Sequence, residues 1–138
     1  MKGFTLVELA VVVIITAIIA GFILPSFAKS LAKSEARQTG HNLMAIAAAN
    51  EIYKARRVGY WPAASVSGIT AINGNLELSL SAISGVNYTC TTTTPGQDYN
   101  CTAQKSGTFG FTRTVTQASP TPSCGSFPAS NPTRNNPC

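Results

Sequence analysis

Few residues of this chain could carry out chemistry. It has one histidine, His41, and beyond residue 57 only two acids, Glu77 and Asp98. The four cysteines are Cys90, Cys101, Cys124 and Cys138. None of them belongs to a CxxC pair, and the zinc spacing with a histidine partner is missing. No nucleophile has a recognisable base beside it. The sequence therefore predicts no enzyme, no metal site and no cofactor.

The cysteines instead indicate disulfide bonds. Their number is even, and all four lie in the second half of the chain. If one helix occupies the residues up to about 57, only about 80 of the 138 residues remain for a globular head. A head of that size is marginal for a core that must support itself. We therefore predict two disulfides, formed in an oxidising compartment outside the cytoplasm.

A turn signal suggests which cysteines pair. A hairpin centred on Pro95-Gly96 sets residues whose numbers sum to 191 opposite one another, so that Cys90 faces Cys101. Such a pair can lie about 4.5 Å apart at Cα, within disulfide reach. Cys90–Cys101 is the first prediction, and Cys124–Cys138 follows by elimination. L-Pro-Gly favours a type II turn, which splays hairpin strands, so a longer loop with a shifted register stays open. The three connectivities that four cysteines allow also stay open.

Glu8 stands at the start of a long apolar segment. The next twenty residues, 9–28, carry no charge, and as a helix they would span roughly the 30 Å of a bilayer's hydrocarbon core. A carboxylate in hydrocarbon costs on the order of a few kcal/mol and needs a partner. No Lys or Arg lies within two helical turns on its C-terminal side. A simpler interpretation places Glu8 near the headgroups, where it only favours the start of the helix.

The first eight residues resemble the processing signal of the type IV pilin family. A short basic leader ends in Gly3, Phe4 follows, and Glu8 is the fifth residue of the new chain. The resemblance implies that a prepilin peptidase cleaves after Gly3 and methylates the amine of Phe4, while the apolar segment stays. It further implies that Glu8 neutralises the N-terminus of a neighbouring subunit. The assembly residues would then be Phe4 and Glu8, together with Pro25. Such pilins commonly carry a proline at the position of Pro25.

Two other interpretations of the apolar segment stay open. It could be an ordinary secretory signal, with Ala17, Ala20 and Gly21 as the small residues at a cleavage site, although the h-region of such a signal is shorter and is discarded. It could also be a plain membrane anchor, which explains everything except Glu8.

The charges and the cysteines disagree about the orientation of the segment. Lys29, Lys33 and Arg37 follow it, and the positive-inside rule alone would keep that side in the cytoplasm. The cysteines and the resemblance place it outside. We therefore expect a precursor in the inner membrane with its head in the periplasm.

The pattern predicts one continuous helix from about Phe4 to Arg57, roughly 80 Å long. Residues 4–28 would form its membrane or filament-core half, and residues 29–57 an amphipathic half packed on a sheet. The expected apolar positions of that second half include Leu31, Leu43, Ile46, Ala47 and Tyr53. Pro25 lacks a backbone donor, so we expect a kink, or an unwound segment in the assembled state. Arg57, Gly59 and Pro62 are stop signals.

Residues 58–138 are predicted to form a β-rich head. It comprises a connecting loop at 58–75, which could include a helical turn, a sheet at 76–117 and a disulfide-bounded C-terminal loop at 118–138. Composition predicts strands at 76–81, 86–93, 99–105 and 108–117. Phe109, Phe111 and Arg113 alternate with small or polar residues, so that one face of the last strand can be buried against the helix. Tyr60 and Trp61 are expected to pack between helix and sheet.

The predicted fold class is α+β, and the resemblance implies the type IV pilin fold. The expected function is that of a structural subunit that polymerises into an extracellular filament. Its partners would be copies of itself, the inner membrane before assembly, the prepilin peptidase and the pilus assembly machinery. The net charge of +5 leaves weak DNA or surface binding by the filament open.

Two alternative functions remain at this stage. The first is a pseudopilin or minor pilin of a type II secretion or DNA-uptake apparatus. Major pseudopilins usually bind calcium in the head, and two acids are too few for such a site. The second is an exported or membrane-anchored binding domain. Adhesion, motility, DNA uptake and conduction are not distinguished by the sequence.

Overall fold

A computed structural model describes residues 5–123, with the side chains of residues 22–26 excepted. Its elements are α1 (Leu6–Arg57), β1 (Val66–Ser67), α2 (Ile69–Leu76), β2 (Val86–Thr91), β3 (Asn100–Lys105) and β4 (Phe111–Thr116). The strands form one antiparallel sheet in the order β1-β2-β3-β4. The predicted α+β class, with a long N-terminal helix and a small antiparallel sheet, is confirmed. The predicted leader 1–3, Phe4 and the Cys124–Cys138 loop lie outside the described residues.

Helix α1 has 52 residues, which corresponds to a length of about 78 Å. It ends at the predicted residue, Arg57, and begins at Leu6, two residues after the predicted start. The helix continues through Pro25. The unwound segment that we expect in the assembled state therefore stays a prediction.

The end of α1 differs from the predicted stop signal. Val58, and not Gly59, adopts the left-handed conformation (φ 57°), and its N–H donates to the carbonyl of Lys54 at 3.1 Å. Gly59 is needed for another reason. A Cβ at that position would lie 3.1 Å from the backbone of Gly96, at the point where Tyr60 N donates to Gly96 O at 2.9 Å. The glycine thus permits a close approach between the helix end and the β2–β3 loop.

The core lies between the second half of α1 and the sheet. Leu43, Ile46 and Ala47 of the helix are buried, as are Tyr60 and Trp61, which pack where they were expected. The sheet contributes Tyr88, Cys90, Cys101, Ala103, Phe111 and Val115. One predicted apolar position is wrong: Leu31 is 51% exposed. It precedes the contact with the sheet, since Ala32 is the first buried residue among the described side chains of α1.

Strands β2 and β3 pair in the register that the hairpin predicts. Cys90 lies opposite Cys101, and the two form a disulfide with a Cα–Cα distance of 4.0 Å. The loop is longer than a tight hairpin, because pairing ends at Thr91 and Asn100. Asp98 organises this loop: its carboxylate accepts hydrogen bonds from Thr92 Oγ1 at 2.6 Å and from the backbone N–H of Thr94 at 2.9 Å.

The segment before β2 contains the main error in the predicted elements. Residues 76–81 alternate leucine with polar side chains, yet they form no strand: Leu76 ends α2, and Glu77 is left-handed at φ 55°. The Asn73 side chain takes the place of a partner strand, because its amide donates to Leu80 O at 2.8 Å and accepts from Leu80 N at 3.2 Å. The predicted loop at 58–75 contains β1 and most of α2.

Candidate functional site

The N-terminal end of α1 brings Thr5 and Glu8 together. Thr5 N donates to Glu8 Oε2 at 2.9 Å, and Thr5 Oγ1 donates to the same oxygen at 2.8 Å. In return, Glu8 N donates to Thr5 Oγ1 at 3.3 Å. This reciprocal capping box satisfies donors that an α-helix leaves free at its start. Thr5 is not among the predicted site residues; the T-x-x-E spacing is the signal that identifies it.

The Glu8 carboxylate retains capacity for another partner. Both of its described hydrogen bonds go to Oε2, and Oε1 accepts none from the residues that the structure describes. An ionised carboxylate has about four acceptor sites. Glu8 can therefore cap its own helix and still accept from a second molecule.

The N-terminal part of α1, as far as residue 21, exposes apolar side chains on all sides. Every side chain from residue 5 to 21 is exposed, and the large apolar ones range from 48% for Val11 to 87% for Leu6. They are Leu6, Val7, Leu9, Val11, Val12, Val13, Ile14, Ile15, Ile18 and Ile19. A helix that is apolar all round is normally buried, and a contiguous exposed apolar surface marks an interaction site. This N-terminal segment, residues 5–21, is the candidate site, and we call it the exposed half of α1 to distinguish it from the part that packs on the head.

Within residues 5–21 and 27–123, no helix has both the length and the hydropathy required to cross a bilayer. The predicted membrane or filament-core half of the helix, residues 4–28, includes Phe4 and the side chains of residues 22–26, which lie outside that set. The side chain of the predicted assembly residue Pro25 is among them. Gly3 and the predicted bond between Cys124 and Cys138 also lie outside the described residues.

The second half of α1 is fixed to the sheet by two basic side chains of the head. Lys105 of β3 forms an ion pair with Glu35, and both side chains are about four-fifths buried. Arg113 of β4 is also buried; its Nη1 donates to the backbone carbonyl of Ala36 at 2.7 Å and its Nε donates to Ser123 O at 3.3 Å. Burial lowers the pKa of Arg113. These contacts orient the exposed half of the helix relative to the head.

A polar cluster holds the C-terminal end of α1. Tyr60 Oη donates to Glu51 Oε1 at 3.0 Å and accepts from Lys54 Nζ at 3.1 Å. The bond to Tyr60 raises the pKa of Lys54. Burial raises the pKa of the neighbouring Tyr99 to about 12, with further contributions from Glu51 and Tyr60. The side chains of Glu51, Lys54 and Tyr60 are hydrogen-bonded to one another, which indicates a structural role for these three residues.

The remaining predicted basic and histidine positions lie apart from the candidate site. Lys29 and Arg37 are exposed on α1, and Lys33 is half-buried. His41 is exposed and borders a groove of about 260 Å³ with Arg37, Met44 and Arg113. Among the described residues, no three His, Cys, Asp or Glu side chains are placed to hold a metal ion.

Comparison of the chain with models of known families, with curated proteins and with solved structures finds no match in any of the three. The functional assignment must therefore rest on the residues of α1 and on the chemistry of its exposed half.

Proposed function

We propose that this chain is a structural subunit that polymerises through its N-terminal helix into an extracellular, type IV pilus-like filament. The observation that carries the proposal is the exposed half of α1, whose apolar side chains project on every side while the other half packs on the head. Bundling such helices would remove apolar surface from water, which is favoured by roughly 25 cal/mol per Å². A second observation supports the proposal: residues 1–8 resemble the processing signal of a prepilin.

Processing would prepare the helix for assembly. Cleavage after Gly3 would leave Phe4 as the first residue, directly before the N-cap Thr5. Its amine would lie at the positive end of the helix dipole, where a second positive charge is unfavourable. A carboxylate from a neighbouring subunit would relieve this repulsion. In this proposal Glu8 supplies that carboxylate through its remaining acceptor sites.

The capping box provides variants that separate two roles of Glu8. Glutamine at this position can still accept a hydrogen bond from the N-cap N–H, as glutamate does, but it carries no charge. Thr5→Val removes the hydroxyl of the cap and leaves the carboxylate. We expect Glu8→Gln to reach the membrane at normal levels yet to lower the yield of sheared fibres about tenfold or more. We expect Thr5→Val to cost much less.

Fibre yield and membrane-fraction abundance should be measured together in each strain. Glu77→Gln is the matched control, since Glu77 is an exposed carboxylate of the head. Among the described residues its Oε2 forms an ion pair only with Arg56 Nη1, at 3.4 Å. Normal fibres from Glu8→Gln, with reduced fibres from Thr5→Val, would show that capping alone matters. Mass spectrometry of the native N-terminus supplies an independent test. A chain that begins near Gly21 would mean that the apolar segment is a discarded signal.

A further inference from the structure

The outward face of the sheet carries a row of hydroxyl groups that crosses all four strands. Ser67 of β1 lies opposite Thr89 of β2, Thr89 opposite Thr102 of β3, and Thr102 opposite Thr114 of β4. Neighbouring hydroxyl oxygens are 3.4 Å apart for Ser67 and Thr89, and again for Thr102 and Thr114. We call these four residues the hydroxyl row.

A row of neutral polar side chains flanks the hydroxyl row on each side. The flanking residues are Asn87, Gln104 and Thr112 on one side and Thr91, Asn100 and Thr116 on the other. All of them are at least partly exposed. None of the side chains in the three rows is charged, although the chain has a formal charge of +5. Each is an amide or a hydroxyl, which can both donate and accept hydrogen bonds.

A groove deepens one corner of this face. It has a volume of about 410 Å³ and is bordered by Ser67, Asn87, Thr89 and Gln104, with Ile69 and Val86 beside them. The amides of Asn87 and Gln104 lie on directly opposed residues of β2 and β3. The corner thus combines amide and hydroxyl side chains with a small aliphatic surface, a combination that can hold a small polar unit.

The opposite face of the sheet holds the rows in place. The disulfide between Cys90 and Cys101 links the central strands covalently. On the same side, Tyr88 Oη accepts a hydrogen bond from Asn42 Nδ2 of α1 at 3.0 Å. Because β2 and β3 cannot slip past each other, the donors and acceptors on the outward face keep fixed spacings. Such pre-organisation lowers the entropy lost on binding.

We propose that this face binds an extended, uncharged polysaccharide. The strands lie about 4.8 Å apart, which is close to the length of one pyranose unit in a stretched β-linked chain, so a glycan along the hydroxyl row meets one hydroxyl per sugar. Nucleic acid would require Lys or Arg to neutralise phosphates, and the rows hold neither. A protein interface would require aromatic or large apolar anchors at its centre, and the rows hold none.

Binding can be measured by depletion of the full chain from solution onto microcrystalline cellulose, with cross-linked dextran as the coiled neutral control. A detergent is needed to keep the apolar half of α1 soluble. We choose a polyoxyethylene detergent, because one with a sugar headgroup would compete with cellulose for the proposed site. We expect retention on cellulose, weak retention on dextran, and no change between 0.05 and 0.5 M salt, since no ion pairs form.

Thr102→Val combined with Thr114→Val removes two hydroxyls of the central row while keeping shape and strand preference. We expect the partition constant on cellulose to fall about tenfold. The matched control is Thr108→Val, an exposed threonine in the loop before β4. Wild-type protein that is not retained on cellulose would overturn the proposal, as would equal retention of the double variant or loss of retention in salt. The proposal does not depend on filament assembly, because it is tested on the dispersed chain.

Discussion

The guanidinium group of Arg113 lies directly against Gly40 of the long helix. A Cβ at position 40 would be 2.7 Å from Nη1 and 3.0 Å from Cζ. The same Nη1 donates to the carbonyl of Ala36, one turn earlier in the helix, at 2.7 Å. The absence of a side chain at Gly40 therefore lets a buried cation reach the helix backbone, and this contact joins the last strand to α1.

We predict that Gly40→Ala destabilises the head. The guanidinium is buried and hydrogen-bonded to Ala36 and Ser123, so it cannot move away from a methyl group without losing those bonds. Overpacking of this kind typically costs about 1–3 kcal/mol. The free energy of unfolding in urea measures the effect. Gly74→Ala in α2 is the control, because nothing lies within 4 Å of the added Cβ; there we expect a gain of about 0.5–1 kcal/mol.

The buried amide of Asn50 provides a second prediction. Asn50 is fully buried on α1, and its Oδ1 accepts from the backbone N–H of Trp61 at 2.9 Å. Asn50→Ala leaves that donor buried without its partner, which should cost about 1–3 kcal/mol of unfolding free energy. Asn75→Ala removes an exposed amide that donates to Ala71 O, and we expect it to change stability by no more than about 0.5 kcal/mol. Equal losses in the two variants would contradict the assignment.

The stability of the head should depend on the charge of Asp98. Hydrogen bonds from the Thr92 hydroxyl, and then from the backbone N–H groups of Thr94 and Thr93, lower the pKa of this carboxyl. Its stabilising effect is therefore complete above the pKa of the unfolded chain, about 3.9, and is lost as the pH falls through the lower folded pKa. We expect Asp98→Asn to lower Tm at pH 7.

The difference in Tm between wild type and Asp98→Asn should shrink as the pH falls below about 4. Glu77→Gln provides the comparison, because this exposed carboxylate accepts no backbone hydrogen bond among the described residues. A wild-type minus Asp98→Asn difference that stays constant from pH 7 to pH 2 would show that the charge does not stabilise the loop.

Loss of the Cys90–Cys101 disulfide should reduce stability substantially. The bond closes a loop with a sequence separation of 11, for which chain entropy gives about 3 kcal/mol. We expect the Cys90→Ala, Cys101→Ala double variant to lose about that much free energy of unfolding. Cys90→Ala alone serves as a check, since it should lose nearly the same amount. Reducing agent should lower the free energy of unfolding of the wild type by breaking this bond. The double variant lacks the bond, so it should show no such loss from the pairing of β2 with β3.

Local patterns in the sequence determined several features of this fold. The apolar residues after Glu8, and the basic residues at positions 56 and 57, are enough to indicate a long helix and its end. The hairpin centred on Pro95-Gly96 is enough to predict that Cys90 faces Cys101. In each case the residues that carry the signal are close along the chain, so a periodic pattern or a short turn contains the needed information.

Other features were decided only by contacts between distant parts of the chain. The alternation at 76–81 is the pattern of a strand, but the Asn73 amide bonds to Leu80 and replaces a partner strand. Strand β1, with only two residues, exists because β2 pairs with it. The contact of Arg113 with Ala36 joins residues 77 positions apart. No local pattern encodes such a pairing, because its energy depends on burial and on geometry that arise only when the sheet packs on the helix.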